Sequence, residues 1–343
     1  MRAARFAVPG DLGAPTGGYE YARQMLRHVP GLAHLALPDG FPLPSDAALR
    51  DTANCLAAVP NDVVLLVDGL AFGALPAWCL TGVTAPIVAL VHHPLCLEAG
   101  ILPDQAALLH ASERDALKFA CRVIATSAVT TRWLTTEFGI PTDRLSAAEP
   151  GTEPRIRATG SRQGALHLLA VGAITPRKGY DVLVQALLGL THRAWHLTIA
   201  GDLTRNPTCV ADLRATIARH HLNDRISLAG AVSDSALDSL YAASDLFISA
   251  SHHEGYGMAV ATAMAHGLPL VATNAGALAE TIPPGASLTC PPGDAVTLRQ
   301  AIEAMLINSD LRRNCAEVSW RAGQNLAGWQ QTADHVAAVL ASV

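Results

Sequence analysis

One turn of the chain places two cations beside a glycine. Arg177 and Lys178 stand between Pro176 and Gly179, shortly after an apolar run. An arginine guanidinium can bind two phosphate oxygens at once, and a lysine ammonium adds a compact positive charge. Exposed basic turns often have no function, but Lys178 is one of only two lysines in the chain. We therefore expect this turn to bind an anionic group.

A second turn places a carboxylate beside glycines at the predicted start of a helix. Glu254, Gly255, Tyr256 and Gly257 follow an apolar run and precede an alanine-rich stretch. Glycines at this position leave backbone N–H groups open to a diphosphate, and the helix dipole favours its negative charge. Glu254 would repel a phosphate, but it can accept hydrogen bonds from hydroxyl groups. We predict a ligand that carries a hydroxyl-rich group, such as a sugar, as well as phosphate.

Two features of the first half could also contact a ligand. Gly17 and Gly18 lie at a predicted helix start, although the segment lacks the GxGxxG pattern of dinucleotide-binding loops. His92 ends an apolar run, and a histidine there can donate to a phosphate or to a sugar hydroxyl. Alternatively, His92 and His93 are a structural pair. A zinc site is poorly supported, since no cysteine or carboxylate falls at ligand spacing nearby.

The composition excludes several classes of protein. The 343 residues predict two domains, and the 50% of hydrophobic residues with 15% charged residues excludes a disordered chain. The net charge of −5 argues against a nucleic-acid partner. No apolar run reaches the roughly 18 residues of a transmembrane segment. The start does not resemble a signal peptide, and the seven cysteines form no CxxC motif, so we expect a cytoplasmic protein.

Short apolar runs alternate with longer stretches that suit helices, which is typical of parallel sheets in an α/β fold. Twelve runs are too many for a (β/α)8 barrel and favour two Rossmann-like domains, with ligands at the carboxyl ends of the strands. The turn-rich segment 150–163 marks the boundary. The predicted strands lie near 4–8, 33–37, 63–67, 86–91, 121–126, 145–149, 165–171, 195–200, 226–229, 245–250, 268–272 and 287–290.

Taken in order, these motifs resemble those of the GT-B glycosyltransferases of family 4, which are retaining, nucleotide-sugar-dependent enzymes also called glycosyl transferases group 1. The resemblance covers residues 165–325 and, more thinly, the first half. The segments that carry it are Gly172 to Gly179 with Leu183, Leu197 to Asp202, 245–282, Pro291 to Asp294, Gly17-Gly18 and His92-x-Pro94.

The resemblance implies a GT-B architecture, in which two Rossmann-like parallel-sheet domains face each other across a cleft. Residues 1–153 would form the acceptor domain and residues 164–326 the donor domain. A terminal helix over residues 329–343 would pack back on the N-terminal domain. The donor is a nucleoside-diphosphate sugar, and neither a metal nor another cofactor is implied.

The resemblance also implies roles for single residues. His92, Lys178 and Glu254 would be catalytic: they would contact the transferred sugar or its phosphate, stabilise the departing diphosphate, and hold sugar hydroxyls. The other expected donor contacts are Gly17 and Gly18 on the diphosphate, Arg177 beside Lys178, the backbone of Gly255, Tyr256 and Gly257, Thr262 near the ribose, and Glu280, which would orient the loop.

Two positions depart from the family's pattern. Thr262 replaces the second glutamate of an E-x7-E motif that begins at Glu254, and Ala173 interrupts a Gly-Arg pair. We predict transfer of a hexose-type sugar to a small-molecule, saccharide or peptide acceptor. The departures leave open a nucleotide-binding protein with weak or no turnover. A sugar-nucleotide epimerase is a further alternative.

Overall fold

The computed structural model describes residues 3–161 and 164–343, and the chain divides into two compact units. The N-terminal unit consists of the residues up to 151 together with 327–343, and the C-terminal unit consists of residues 152–326. Each unit is built around one six-stranded parallel sheet. The predicted α/β fold of two Rossmann-like units is therefore confirmed.

The sheet of the N-terminal unit has the strand order β2-β1-β3-β4-β5-β6. Its strands are β1 (Ala4–Pro9), β2 (Leu32–Leu37), β3 (Val64–Asp68), β4 (Ile87–Val91), β5 (Arg122–Ala125) and β6 (Leu145–Ala147). The helices between them are α1 (Gly17–His28), α2 (Asp46–Ala57), α3 (Gly69–Phe72), α4 (Pro103–Ala116) and α5 (Ala128–Phe138). Short 3₁₀ turns occupy Ala77–Cys79, Leu95–Leu97, Leu117–Phe119 and Thr142–Arg144.

The sheet of the C-terminal unit has the order β12-β11-β10-β7-β8-β9. Its strands are β7 (Leu166–Val171), β8 (Trp195–Ala200), β9 (Ile226–Gly230), β10 (Leu246–Ser249), β11 (Leu270–Thr273) and β12 (Ser287–Cys290). Its helices are α6 (Tyr180–Leu188), α7 (Pro207–Arg219), α8 (Asp234–Ala243), α9 (Met258–Ala265), α10 (Leu278–Thr281), α11 (Ala295–Ile307) and α12 (Ser309–Gly323). A 3₁₀ turn covers Pro176–Lys178.

The central strands explain why the sequence shows apolar runs rather than alternating patterns. Every residue of β3 and of β4 is buried. Parallel strands covered on both faces need apolar side chains at successive positions, whereas β2 at the sheet edge is partly exposed. All twelve predicted strands are present within two residues of their expected ends.

The last helix, α13 (Trp329–Ala341), belongs to the N-terminal unit and packs against α1. The ring of Trp329 meets the ring of Tyr21 edge to face, with 5.7 Å between centroids. The Thr332 hydroxyl donates to the carbonyl of Glu149 over 2.8 Å. A side chain at Gly151 would collide with the backbone of Trp329, so glycine is needed for this close approach. Among the described helices, none is long and apolar enough to cross a membrane.

Candidate active site

Two neighbouring strands of the C-terminal unit bring the predicted phosphate and sugar turns together. Strands β7 and β10 pair in parallel, so both carboxyl ends lie at one edge of the sheet. Lys178 follows β7 and Glu254 follows β10. The Lys178 Nζ lies 2.6 Å from Glu254 Oε1, and Arg177 Nη1 lies 3.2 Å from Glu254 Oε2. The structure therefore joins three of the predicted residues across 76 positions of sequence.

Backbone contacts fix the two turns against each other. The His252 N–H donates to the Arg177 carbonyl over 2.7 Å, and Arg177 Nη1 donates to the His253 carbonyl over 2.9 Å. Gly179 has a φ of +61°, and a Cβ there would lie 2.2 Å from the Ala250 carbonyl oxygen. Only glycine fits this left-handed and crowded position. The sequence thus encodes the close approach of the cations to Glu254.

Glu254 is 8% exposed and lies in a strongly positive environment. Burial by itself would raise its pKa, but Lys178 and Arg177 lower it, together with hydrogen bonds from Lys178 and from Ser251. The Ser251 hydroxyl donates over 2.7 Å. The net effect holds the pKa of Glu254 well below its ordinary range, because opposite charges within 4 Å favour the ionised form. Glu254 is therefore a fixed acceptor of hydrogen bonds.

The glycine turn opens helix α9 in the way the sequence predicts. Gly257 precedes the helix with a φ of +101° and without a side-chain cap. The first N–H groups of α9 have no partner within the helix. Tyr256 is 7% exposed, and its carbonyl accepts from the Thr281 hydroxyl over 2.9 Å. Backbone donors, a carboxylate and two cations are thus gathered at one sheet edge.

Two other predicted donor contacts lie in neighbouring helices. Thr262 is half-buried in α9, and its hydroxyl donates to the Met258 carbonyl over 3.0 Å, which leaves its oxygen able to accept. Glu280 is an exposed residue of α10. The Ala277 N–H just before this helix donates to the Glu254 carbonyl over 2.9 Å. The start of α10 is therefore attached to the Glu254 turn.

The N-terminal unit brings Gly18 and His92 together. Gly17 and Gly18 begin α1 after the cap residue Thr16, and a Cβ on Gly18 would lie 3.5 Å from His92 Nε2. The same nitrogen lies 3.1 Å from Asp68 Oδ2. Sequence reasoning missed Asp68, although an acid that directly follows a buried apolar run at a strand end was a usable signal.

The described residues contain no group of three or more His, Cys, Asp or Glu side chains that could hold a metal ion. Each of the two adjacent histidines instead contacts one carboxylate. His92 lies beside Asp68, and His93 Nε2 lies 3.1 Å from Glu98 Oε2. Both histidines thus have partners in the protein, and the contact of His92 with a ligand stays a prediction, as does the alternative of a structural pair.

Residues 152–319 match the family model described as glycosyl transferases group 1. The chain is therefore similar to the group 1 glycosyl transferases over just under half of its length. It is 29% identical over 254 residues to D-inositol 3-phosphate glycosyltransferase of Pseudarthrobacter chlorophenolicus, covering 70% of this chain and 60% of that protein. It is 30% identical over 178 residues to mannosylfructose-phosphate synthase of Agrobacterium fabrum, covering 47% and 39%. The chain therefore spans less than two thirds of the length of these relatives.

Solved structures share the fold of this chain. The sucrose-phosphate synthase of Thermosynechococcus elongatus superposes with a TM-score of 0.83 at 19% identity, covering 100% of this chain and 99% of that one. The Anabaena protein HepE, crystallised with UDP and glucose, superposes with a TM-score of 0.81 at 16% identity and full coverage of both chains. These similarities support the two-sheet architecture described above.

Proposed function

We propose that the chain transfers a hexose-type sugar from a nucleoside-diphosphate sugar to an acceptor hydroxyl, with retention at the anomeric carbon and without a metal ion. The observation that carries this proposal is the buried Glu254 carboxylate bonded by Lys178 and Arg177 beside the glycine turn. This arrangement offers positive charge and N–H donors to phosphates, and a carboxylate to hydroxyls, at one edge of the sheet. A nucleotide sugar carries both kinds of group.

The proposed reaction follows from the charges. The bond between the anomeric carbon and the diphosphate oxygen breaks, and the electron pair stays on the diphosphate. The acceptor oxygen bonds to the anomeric carbon, and its proton passes to a diphosphate oxygen. Lys178 and Arg177 stabilise the charge that develops on the leaving group, while Glu254 orients the sugar through its hydroxyls. No metal is needed, because the two cations neutralise this charge.

The relatives support the same type of reaction. The name of one relative contains inositol 3-phosphate and that of another a phosphorylated sugar, and HepE was crystallised with UDP and glucose. We therefore propose a saccharide or another small hydroxylated molecule as the acceptor, ahead of a peptide. UDP-sugars are the first donors to test. Gly17, Gly18 and His92 stay predicted donor contacts of the N-terminal unit.

We also propose that the chain acts in the cytoplasm. All seven cysteines are free thiols, as expected in a reducing compartment. Fractionation of cells that produce the tagged protein tests this location.

The test measures ligand binding and donor turnover in EDTA. The purified chain is heated with UDP, GDP, ADP or dTDP, and release of nucleoside diphosphate from the matching sugar donors is followed with candidate saccharide acceptors. A diphosphate at ~100 times its Kd adds about 2.7 kcal/mol of stability, which is visible as a higher Tm. We expect such a shift with one base, and turnover without metal.

Substitutions at the proposed site test whether these residues carry the activity. Lys178→Ala and Glu254→Gln should each reduce turnover by more than about tenfold, because each removes a charge that contacts the donor. Lys118→Ala is the matched control, since Lys118 is the other lysine and lies exposed beside Asp115; it should retain full activity. Wild-type rates in both site variants would contradict the proposal. Conversion of the donor to an isomer without an acceptor would indicate an epimerase instead.

A further inference from the structure

Two buried acids secure the segment that begins at His92. Asp68 is 4% exposed and ends β3, and Glu113 is 1% exposed and lies in α4. Acids at this depth cost free energy unless hydrogen bonds compensate for lost water. Both belong to the N-terminal unit, and neither is among the residues that contact the proposed donor.

Asp68 determines which ring nitrogen of His92 is protonated. Its Oδ1 accepts from the Leu70 N–H at the start of α3 over 2.9 Å, and its Oδ2 lies 3.1 Å from His92 Nε2. A carboxylate can only accept, so His92 Nε2 must carry the proton. Among the described residues, the ring of His92 makes this hydrogen bond and an edge-to-face contact with Tyr21 at 5.5 Å. The other ring nitrogen, Nδ1, is therefore left to accept a hydrogen bond, and the side chain is 21% exposed.

Glu113 holds the backbone three residues further on. Its Oε2 accepts from the Leu95 N–H over 2.9 Å, at the start of the 3₁₀ turn Leu95–Leu97. Its Oε1 is buried and has no hydrogen-bond partner among the described residues. The titratable group next to this bond is Cys96, whose thiol pKa is raised by burial and by Glu113. Glu113 therefore restrains the chain leaving His92.

Helix α3 connects the two acids. Asp68 caps its start, and Gly73 ends it. A Cβ on Gly73 would lie 3.0 Å from the Cγ of Glu113. A Cβ on Gly69 would lie 2.6 Å from the Leu90 carbonyl oxygen of β4. Glycines at both ends let α3 fit between the end of β4 and Glu113, so the two acids are parts of one packed arrangement.

We propose that Asp68 and Glu113 are positioning residues for His92. Asp68 sets the ring orientation and the protonated nitrogen, and Glu113 fixes the backbone that follows. The inference rests on the proposed function in one respect, because His92 affects the reaction only if it contacts the donor. The positioning itself is a property of the chain without ligand and can be measured separately.

The first experiment reads the His92 ring directly. Long-range ¹⁵N–¹H NMR spectra of the full chain, labelled at histidine and assigned with His92→Ala, should show the Nε2–H form in the neutral ring. Asp68→Asn should populate both tautomers, since a carboxamide can donate as well as accept. Glu113→Ala should shift the His92 signals, whereas Glu113→Gln keeps an oxygen for Leu95 and should restore them. An unchanged ring signal in Asp68→Asn would overturn the proposal.

The second experiment tests whether both acids act through His92. Asp68→Asn and Glu113→Ala should each lower kcat about tenfold or more with a smaller change in donor KM, as misplaced groups do. In a His92→Ala background the same changes should add little, which shows coupling in a double-mutant cycle. Glu113→Gln should retain most activity. Asp104→Asn, an exposed acid of α4, is the control. Full additivity with His92→Ala would contradict the inference.

The two experiments distinguish an error in the proposed function from an error in the proposed positioning of His92. If the wild-type chain transfers no sugar, the proposed function is wrong, but the NMR spectra still decide whether the acids hold His92. If sugar transfer occurs while the ring signals ignore Asp68 and Glu113, only the positioning is wrong.

Discussion

Two buried glutamates show how surroundings decide the charge of one residue type. Lys178 and Arg177 outweigh burial at Glu254 and hold its pKa well below the ordinary value. Glu113 has no such cations, so burial raises its pKa to about 8, although the Leu95 N–H lowers it somewhat. The first residue is an ionised acceptor across the working pH range. The second takes up a proton near neutral pH and stabilises the fold most when it is protonated.

Replacing Glu113 by glutamine should remove a pH dependence of stability. The folded-state pKa of about 8 exceeds the ordinary value of 4.5, so the folded state binds more protons between these values. The free energy of unfolding of the wild type should therefore fall, relative to Glu113→Gln, as pH rises from 4.5 to 8, by up to about 5 kcal/mol. Urea denaturation of both proteins at several pH values measures the difference. A constant difference would show that Glu113 does not titrate in this range.

At the scale of elements, the site depends on the turn that joins β7 to α6. Gly179 ends the 3₁₀ turn of Arg177 and Lys178, and its missing side chain lets this turn lie against the end of β10. Gly139 has a similar φ of +65° at the end of α5, but no atom lies within 4 Å of a Cβ built there. The two glycines therefore share a backbone conformation and differ in crowding.

Comparing Gly179→Ala with Gly139→Ala should separate these effects. Gly139→Ala should cost about 1–2 kcal/mol, the strain of a left-handed alanine. Gly179→Ala adds a collision with the Ala250 carbonyl and should cost at least ~2 kcal/mol more. It should also weaken binding of nucleoside diphosphate, because the cations move away from Glu254. Thermal denaturation with and without the diphosphate measures both quantities. Equal losses in the two variants would argue against close packing of the two turns.

At the scale of the whole molecule, the strands could be predicted because buried parallel strands leave uninterrupted apolar runs. The contact between Lys178 and Glu254 could not be predicted, because it depends on β10 lying beside β7. The order of strands in a sheet leaves no periodic pattern in the sequence. Asp68 and Glu113 were missed for a different reason. The sequence does not distinguish an acid that tertiary packing buries from an acid on the surface. The sequence therefore indicates candidate residues one at a time, but it does not indicate the network of contacts around them.

The packing of α13 within the N-terminal unit should contribute a large part of that unit's stability. Trp329 is 5% exposed, and Trp329→Ala should lower the free energy of unfolding by about 3–5 kcal/mol through lost burial and a cavity beside Tyr21. Trp78, which is 52% exposed, is the matched control, and Trp78→Ala should change little. Calorimetry of the full chain tests both. A small effect of Trp329→Ala would mean that α13 packs only loosely.

This arrangement also has a consequence for biosynthesis. A ribosome releases residues 152–326 as one continuous stretch, so the C-terminal unit can fold while translation proceeds. The N-terminal unit is built from two stretches separated by that unit, and the aromatic face of α1 stays uncovered until α13 emerges. The half of the protein that is made first is thus completed last.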